Sequence, residues 1–315
     1  MELRDRKEQI FTNPYILMAL ALISCFLWGS AFPSIKAGYK LLSIGAGDTY
    51  QKIIFAGYRF FLSSMMIFAF CLVTGRSLKL KKKSHVPQVF FLGLLQTTIQ
   101  YTFFYIGLSN TSGTLGSILS SSSTFFTVIL AHFFYKADRL TFRRIAGVIL
   151  GFTGVVIANI KGNGIQGGFS FTGEGFVIIS SLVGAMAGIY TKKISKDISP
   201  FAISGYQLFI GSIILIFIGF VGGGSDIVFT SENFILLLYL GFISAAAFTL
   251  WAILLKYNDV GKVSIYKFTI PLFGTLLSYI FLQEDFLGFN VITSAILVSL
   301  GILLINATPK SKVSQ

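Results

Sequence analysis

Long intervals without a charged residue constrain this chain more than any other feature of its sequence. No Asp, Glu, Lys or Arg lies between Lys83 and Lys136. A helix that crosses a membrane needs about 20 predominantly apolar residues, and ionisable side chains are costly in hydrocarbon. The interval therefore predicts two membrane helices, joined by a turn at the polar residues 109–113.

The same reasoning predicts ten spans in all. Hydrophobic residues make up 54% of the chain and charged residues only 12%, about half the charged fraction of a soluble domain. The first apolar run is much longer than the core of a signal peptide, so it is predicted to remain as a helix. We expect an all-α integral membrane protein with spans near 15–36, 53–75, 87–108, 113–135, 144–160, 173–191, 200–221, 233–255, 262–283 and 286–306.

The basic charges follow the predicted topology. The net charge is +13, and 19 of the 25 basic residues fall on one side when alternate loops are assigned to the cytoplasm. Lys36, Lys40, Lys52 and Lys161 fall on the other side. By the positive-inside rule, both termini are predicted to be cytoplasmic, in a multi-pass protein of the cell (inner, cytoplasmic) membrane. The charge is thus an orientation signal, and no nucleic-acid partner is expected.

The second half of the chain repeats the outline of the first at an offset of 147 residues. Gly154 aligns with Gly301 and Ser117 with Ser264, while Gly57-Tyr58-Arg59 aligns with Gly205-Tyr206-Gln207 at offset 148. Two halves of five helices each enter the membrane in opposite senses, because five is odd. The predicted organisation is a cytoplasmic segment 1–14, a first repeat 15–160, an extracytoplasmic linker 161–172, a second, inverted repeat 173–306 and a cytoplasmic tail 307–315.

Helix-disturbing residues lie at matching positions of the two repeats. Pro271 lacks a backbone donor and leaves the carbonyl of Lys267 without its helical partner. Its counterpart Thr124 ends a run of serines whose hydroxyls can bond back to carbonyls and bend a helix. Inverted repeats with interrupted helices are typical of secondary transporters, whose site lies between the halves. A packing kink is the alternative interpretation.

Several short motifs, taken in order, resemble the EamA-type permeases of the drug/metabolite transporter superfamily over nearly all of residues 15–306. The resemblance implies ten helices and export of small metabolites such as amino acids. Two departures are the Lys136-Ala137-Asp138 segment and a long outer loop at 37–52. The motifs are WGSAF at 28–32, RF at 59–60, GSI at 116–118, RIAG at 144–147 followed by GVV at 154–156, KK at 192–193, and PLFG at 271–274 leading to Glu284.

Catalytic and metal-binding patterns are not found in the sequence. All twelve acids lie in loops or at the ends of spans, and the two histidines and two cysteines have no metal-ligand spacing. We expect neither an enzyme nor a cofactor. The lack of an acid within a span also makes facilitated diffusion or exchange at least as suitable as proton coupling.

Two cations, Arg59 and Lys267, lie within predicted spans. Either side chain can snorkel to water. For Arg59 we expect an ion pair with Glu174 at the start of the sixth span. For Lys267 the alternatives are a topology role and a binding role, in which its ammonium and its free carbonyl receive the carboxylate and ammonium of an amino acid.

The predicted function is export of a small polar metabolite, with an amino acid as the leading substrate, by a monomer or homodimer in the lipid bilayer. Phosphorylated substrates are less favoured, because two buried cations would have to balance a dianion. The alternatives are an exchanger of other small organic solutes or drug-like molecules, and a receptor or assembly protein that transports nothing. The predicted substrate-binding residues are Trp28, Gln96, Gln100, Ser117, Ser121, Thr124, Tyr190, Thr249, Trp251, Tyr266, Lys267 and Pro271.

Overall fold

The computed structural model describes residues 8–134, 141–158, 169–225, 227–283 and 289–306, and within them it contains helices and no strand. Asp138, Glu284, Asp285, the Lys136-Ala137-Asp138 segment and most of the predicted linker lie outside this described part. The helices are α1 Pro14–Leu41, α2 Thr49–Val73, α3 His85–Ser109, α4 Gly113–Phe134, α5 Phe142–Ala158, α6 Phe171–Ile194, α7 Pro200–Val221, α8 Ser231–Tyr257, α9 Val260–Leu282 and α10 Phe289–Asn306.

Eight of these helices, α1–α4 and α6–α9, are long and apolar enough to cross a membrane. The chain is therefore a multi-pass membrane protein. The two shorter helices, α5 and α10, fall where the fifth and tenth spans are predicted, and they pack extensively against each other.

The long outer loop expected at 37–52 is wrong. Helix α1 runs for 28 residues to Leu41, so only residues 42–48 connect it to α2. Lys36 and Lys40 continue the helix instead of ending it, because charged side chains are tolerated once a helix leaves the hydrocarbon. The extension is held by Tyr39, whose hydroxyl donates to the carbonyl of Tyr105 at 2.9 Å.

The main helix packing pairs follow a simple rule. Helix α1 packs on α8 and α9, α2 on α7 and α8, α3 on α6 and α7, α4 on α6 and α9, and α5 on α10. The same set of pairs results when helices α1–α5 are exchanged, in order, with helices α6–α10.

Two helices change geometry at matching positions. Helix α4 is interrupted at Ser121, and α9 contains a 3₁₀ segment, Ile265–Phe268. These irregularities end three residues before Thr124 and before Pro271, respectively. In α4 the hydroxyls of Ser121 and Ser122 donate to carbonyls three residues back, which competes with the helical pattern. In α9 the proline ring disfavours a regular preceding turn.

Candidate functional site

A cavity of about 120 Å³ lies between the two halves of the chain. Helices α1–α4 of the first half and α6–α9 of the second half all contribute lining residues, and the described part of α5 and α10 contributes none. The volume is close to that of an engineered cavity of roughly 150 Å³ that holds benzene. The cavity thus suits a ligand of small-metabolite size.

Six buried polar atoms around this cavity have no hydrogen-bond partner. An unpaired buried donor or acceptor costs about 1–3 kcal/mol, so the cavity is built for a polar occupant. Three of the atoms come from each half: Oε1 of Gln96, Oε1 of Gln100 and Oγ of Ser120 from the first, and Oγ1 of Thr191, Oγ of Ser204 and Oε1 of Gln207 from the second.

The local geometry of α3 places Gln96 and Gln100 at the cavity. Residues Gly93–Ile99 form a π-helical segment that contains Gln96 and directly precedes Gln100, and π segments occur frequently at functional sites. Gly184 of α6 leaves room for Gln100, because a Cβ atom there would lie 2.8 Å from Gln100 Nε2.

Aromatic rings form one wall of the cavity. The Trp28 ring lies edge-on to Trp251, with centroids 5.1 Å apart, and 5.7 Å from the Phe248 ring. The ammonium of Lys267 lies 5.3 Å from the centroid of Trp251, within the range of a cation–π interaction. This wall therefore combines apolar surface with a positive charge.

Arg59 also lines the cavity, and the predicted ion pair with Glu174 is wrong. The Arg59 side chain is 1% exposed; its Nε donates to Ser244 Oγ at 2.9 Å and its Nη1 donates to Tyr105 Oη at 3.2 Å. Glu174 instead accepts hydrogen bonds from Thr111 Oγ1 at 3.1 Å and from the backbone of Ser170 at 2.9 Å. The carboxylate is therefore already engaged by Thr111 and by the turn at the start of α6.

The backbone around Lys267 forms a 3₁₀ turn. The N–H of Thr269 faces the carbonyls of Tyr266 and Lys267, but an N–H only two residues away is not the helical partner of a carbonyl, so the open acceptor at Lys267 stays a prediction. The Tyr266 carbonyl also accepts from Thr269 Oγ1 at 2.7 Å and from Cys25 Sγ at 3.2 Å. The unpaired side-chain oxygens of Gln96, Gln100 and Gln207 are further acceptors.

Five of the twelve predicted site residues line the cavity, namely Trp28, Gln96, Gln100, Trp251 and Lys267. The other seven do not line it. The hydroxyls of Ser117 and Ser121 donate to the carbonyls of Thr114 and Ile118. Tyr190 packs against the Phe91 ring, and Thr124 and Thr249 are buried. Tyr266 lies in the 3₁₀ segment of α9 and Pro271 in the α-helical segment that follows it.

Several lining residues of α6 and α7 were not predicted. Ser180, Ser181 and Thr191 lie on the α6 face that also carries Gly184, and Ser204 and Gln207 come from α7. One signal was available, because Gln207 aligns with Arg59 in the repeat and both side chains line the cavity. Within the described residues, no group of three or more His, Cys, Asp or Glu is placed to hold a metal ion.

Comparison with known proteins gives consistent matches along the whole chain. The EamA-like transporter family matches twice, at residues 15–160 and 171–307. An uncharacterized transporter of Archaeoglobus fulgidus is 25% identical over 91% of this chain and 97% of its own length. The uncharacterized transporter YvbV of Bacillus subtilis is 28% identical, over 96% and 94%.

A plant protein and a solved structure extend the comparison. A WAT1-related chloroplastic protein of Arabidopsis thaliana is 24% identical over 89% of this chain and 67% of its own length. One crystal structure superposes with a TM-score of 0.73 at 13% identity, covering 95% of this chain and 98% of the other. At this identity the superposition shows the fold alone.

Proposed function

Because the chain belongs to the EamA-like transporter family and is a multi-pass membrane transporter, we propose that it is a secondary transporter that exports small polar metabolites such as amino acids. The observation that carries the proposal is the set of six unpaired buried polar atoms, three from each half, on residues that line a cavity of metabolite size. A site at the interface of two halves is the arrangement on which alternating access depends.

The two halves are proposed to be inverted repeats of five helices, with α5 and α10 as the ninth and tenth membrane spans. The two separate family matches support this division. The helix packing supports it as well, because the same pairs of helices result when the two halves are exchanged. Two equivalent halves related by an axis produce that pattern. Gly154 and Gly301, which align in the repeat, both lie at the α5–α10 contact.

An amino acid suits the chemistry of the cavity. Lys267 supplies a cation for a carboxylate, the unpaired oxygens of Gln96, Gln100 and Gln207 are acceptors for an ammonium, and the Trp28 and Trp251 rings offer surface to a side chain. Charge-assisted hydrogen bonds of this kind are the strong ones. The volume of the cavity favours substrates of this size over bulky drug-like molecules.

The charged residues bear on the location of the protein and on its energy coupling. The distribution of basic residues supports a cell-membrane protein with both termini in the cytoplasm. No acidic side chain is found among the described residues that line the cavity. We therefore favour facilitated diffusion or exchange over proton coupling through a carboxylate at the site.

A screen of uptake and efflux in proteoliposomes tests this function. The purified chain is reconstituted and challenged with a mixture of labelled amino acids and other small polar metabolites. We expect at least one amino acid to cross faster than in protein-free vesicles. If the folded protein accelerates no solute, the transporter assignment for this chain fails and a receptor or assembly role replaces it.

A further inference from the structure

Arg59 carries a buried charge for which the described residues provide no counter-ion. The side chain is 1% exposed, and its hydrogen bonds go to Ser244 Oγ, Leu240 O and Tyr105 Oη, all of which are neutral. The second terminal nitrogen, Nη2, donates to none of the described residues. The Phe60 ring lies 5.1 Å from the guanidinium carbon.

An uncompensated guanidinium at this depth is energetically costly. Arg59 is the eleventh residue of α2, which places it about 15 Å from the start of the helix at 1.5 Å per residue. The position lies well inside the candidate membrane span Thr49–Val73. Ionisable residues at such depth pair with another group or face a cavity, and Arg59 lines the cavity. A ligand bound in the cavity could therefore supply the negative charge that pairs with Arg59.

The other charged residues that line the cavity also favour an anionic ligand. Lys267 is a second cation at the cavity, and no Asp or Glu occurs among the described lining residues. In a low-dielectric site, two cations without an acid repel a cationic ligand and attract an anionic one. Phosphorylated substrates were less favoured because two buried cations would have to balance a dianion, and two cations, Arg59 and Lys267, line this cavity.

We propose that the cavity selects small organic acids with a net negative charge, and that Arg59 binds the carboxylate that gives them this charge, which in an acidic amino acid is the side-chain carboxylate. This inference rests on the proposed transport function and narrows it from polar metabolites in general to carboxylates such as acidic amino acids. The planar guanidinium has five donors in a fixed fork that matches a carboxylate. Lys267 then pairs with a second carboxylate or other negative group of the same ligand.

A role in helix packing alone does not explain why Arg59 carries a charge. The bonds to Leu240, Ser244 and Tyr105 tie α2 to α8 and α3, and a neutral donor would serve that purpose without the cost of burying a charge. The other half of the chain has the neutral Gln207 at the aligned position, also at the cavity. The charge at position 59 therefore needs a reason beyond helix packing.

The first arm of the test uses the parent protein and pairs of ligands with nearly equal shape. The thermal unfolding midpoint of the purified protein in detergent is measured against increasing concentrations of L-aspartate, L-asparagine, L-glutamate, L-glutamine and L-lysine. We expect aspartate or glutamate to raise the midpoint. The matching amide is expected to need at least about 30-fold higher concentration for the same rise, and lysine to have no effect.

The second arm uses variants of Arg59 with a matched control. Arg59→Gln is expected to abolish the preference for the acid over its amide, while Arg59→Lys retains part of it because the charge remains. Lys52→Gln removes another buried cation from the same helix, one that donates to Ala46 O outside the cavity, and is expected to keep the full preference. If Arg59→Gln does not fold, the comparison of acids with amides on the parent protein still decides the proposal.

The outcomes separate this inference from the proposed function. Equal stabilisation by acids and amides, or stabilisation by none of the acids, overturns the anion selectivity. A preference that survives in Arg59→Gln overturns the role of Arg59. If proteoliposomes transport only neutral or cationic solutes, the transport function stands and this inference fails.

Discussion

Replacing Lys267 with methionine is expected to weaken binding of a transported carboxylate by about 1.5–3 kcal/mol, the value of a charge-assisted hydrogen bond. Methionine keeps an unbranched apolar stem beside Trp251 and removes the ammonium that lies 5.3 Å from that ring. The loss corresponds to a rise of roughly 10- to 160-fold in the concentration for half-maximal uptake. The measurement is uptake into proteoliposomes over a range of concentrations, for the carboxylate and for its amide.

Lys262→Met is the matched control for this prediction. Lys262 lies on the same helix, is exposed and does not line the cavity, so its replacement is expected to leave the uptake curve unchanged. An analogue in which the carboxylate bound by Lys267 is replaced by an amide is expected to be insensitive to the charge at position 267. If Lys267→Met transports the carboxylate with the affinity of the parent, Lys267 is a topology residue and has no role in binding.

Replacing Gly301 with leucine is expected to prevent α5 and α10 from packing and to cost more than 3 kcal/mol of folding free energy. A Cβ atom at Gly301 would lie 2.6 Å from the carbonyl oxygen of Gly147 and 2.7 Å from the backbone nitrogen of Gly151. Backbone atoms cannot rotate away as side chains do, so the helices must separate, and overpacking of this kind exceeds the usual range of about 1–3 kcal/mol. The measurement is the yield of monodisperse protein and its thermal unfolding midpoint.

Leu300→Val is the control for the glycine prediction. Leu300 is the neighbouring residue, is 48% exposed on the outside of α10, and changes by only one methylene. We expect normal yield and an unfolding midpoint close to that of the parent. A Gly301→Leu protein that folds as well as this control would show that the contact between α5 and α10 does not stabilise the fold.

The membrane fold was largely predictable because hydrocarbon imposes a simple rule. Intervals such as 84–135 carry no Asp, Glu, Lys or Arg, and a backbone in lipid must satisfy its own hydrogen bonds, so length and composition locate helices well. Helix ends are less predictable. The rule says where hydrocarbon ends, whereas α1 continues through Lys36 to Leu41.

The site was predictable only in part, because composition does not say which face of a helix meets the cavity. Gln96 and Gln100 were identified as an i, i+4 pair, but the π segment that positions them leaves no sequence signature. Serine and threonine in α4 are ambiguous for a different reason. Ser117 and Ser121 use their hydroxyls on carbonyls of their own helix, whereas Ser120 lines the cavity and its buried hydroxyl has no partner.

Arg59 illustrates the limit of charge pairing as a guide. Glu174, at the start of the sixth span, was the expected partner, but its carboxylate accepts from Thr111 and from the backbone of Ser170. A local turn at a helix start satisfies an acid at less entropic cost than a distant ion pair. The sequence contains both partners without indicating that one is already engaged.

Counterflow in proteoliposomes tests the central claim most directly, namely that one cavity between two halves opens alternately to each side. Vesicles containing the purified protein are loaded with a high concentration of the unlabelled solute identified in the screen and diluted into a trace of the labelled form. The account predicts that the label accumulates transiently above its equilibrium level, because each return of a loaded carrier brings labelled solute inward. A label that only equilibrates, at the same rate in loaded and empty vesicles, would contradict alternating access and indicate a pore or a protein that does not carry this solute.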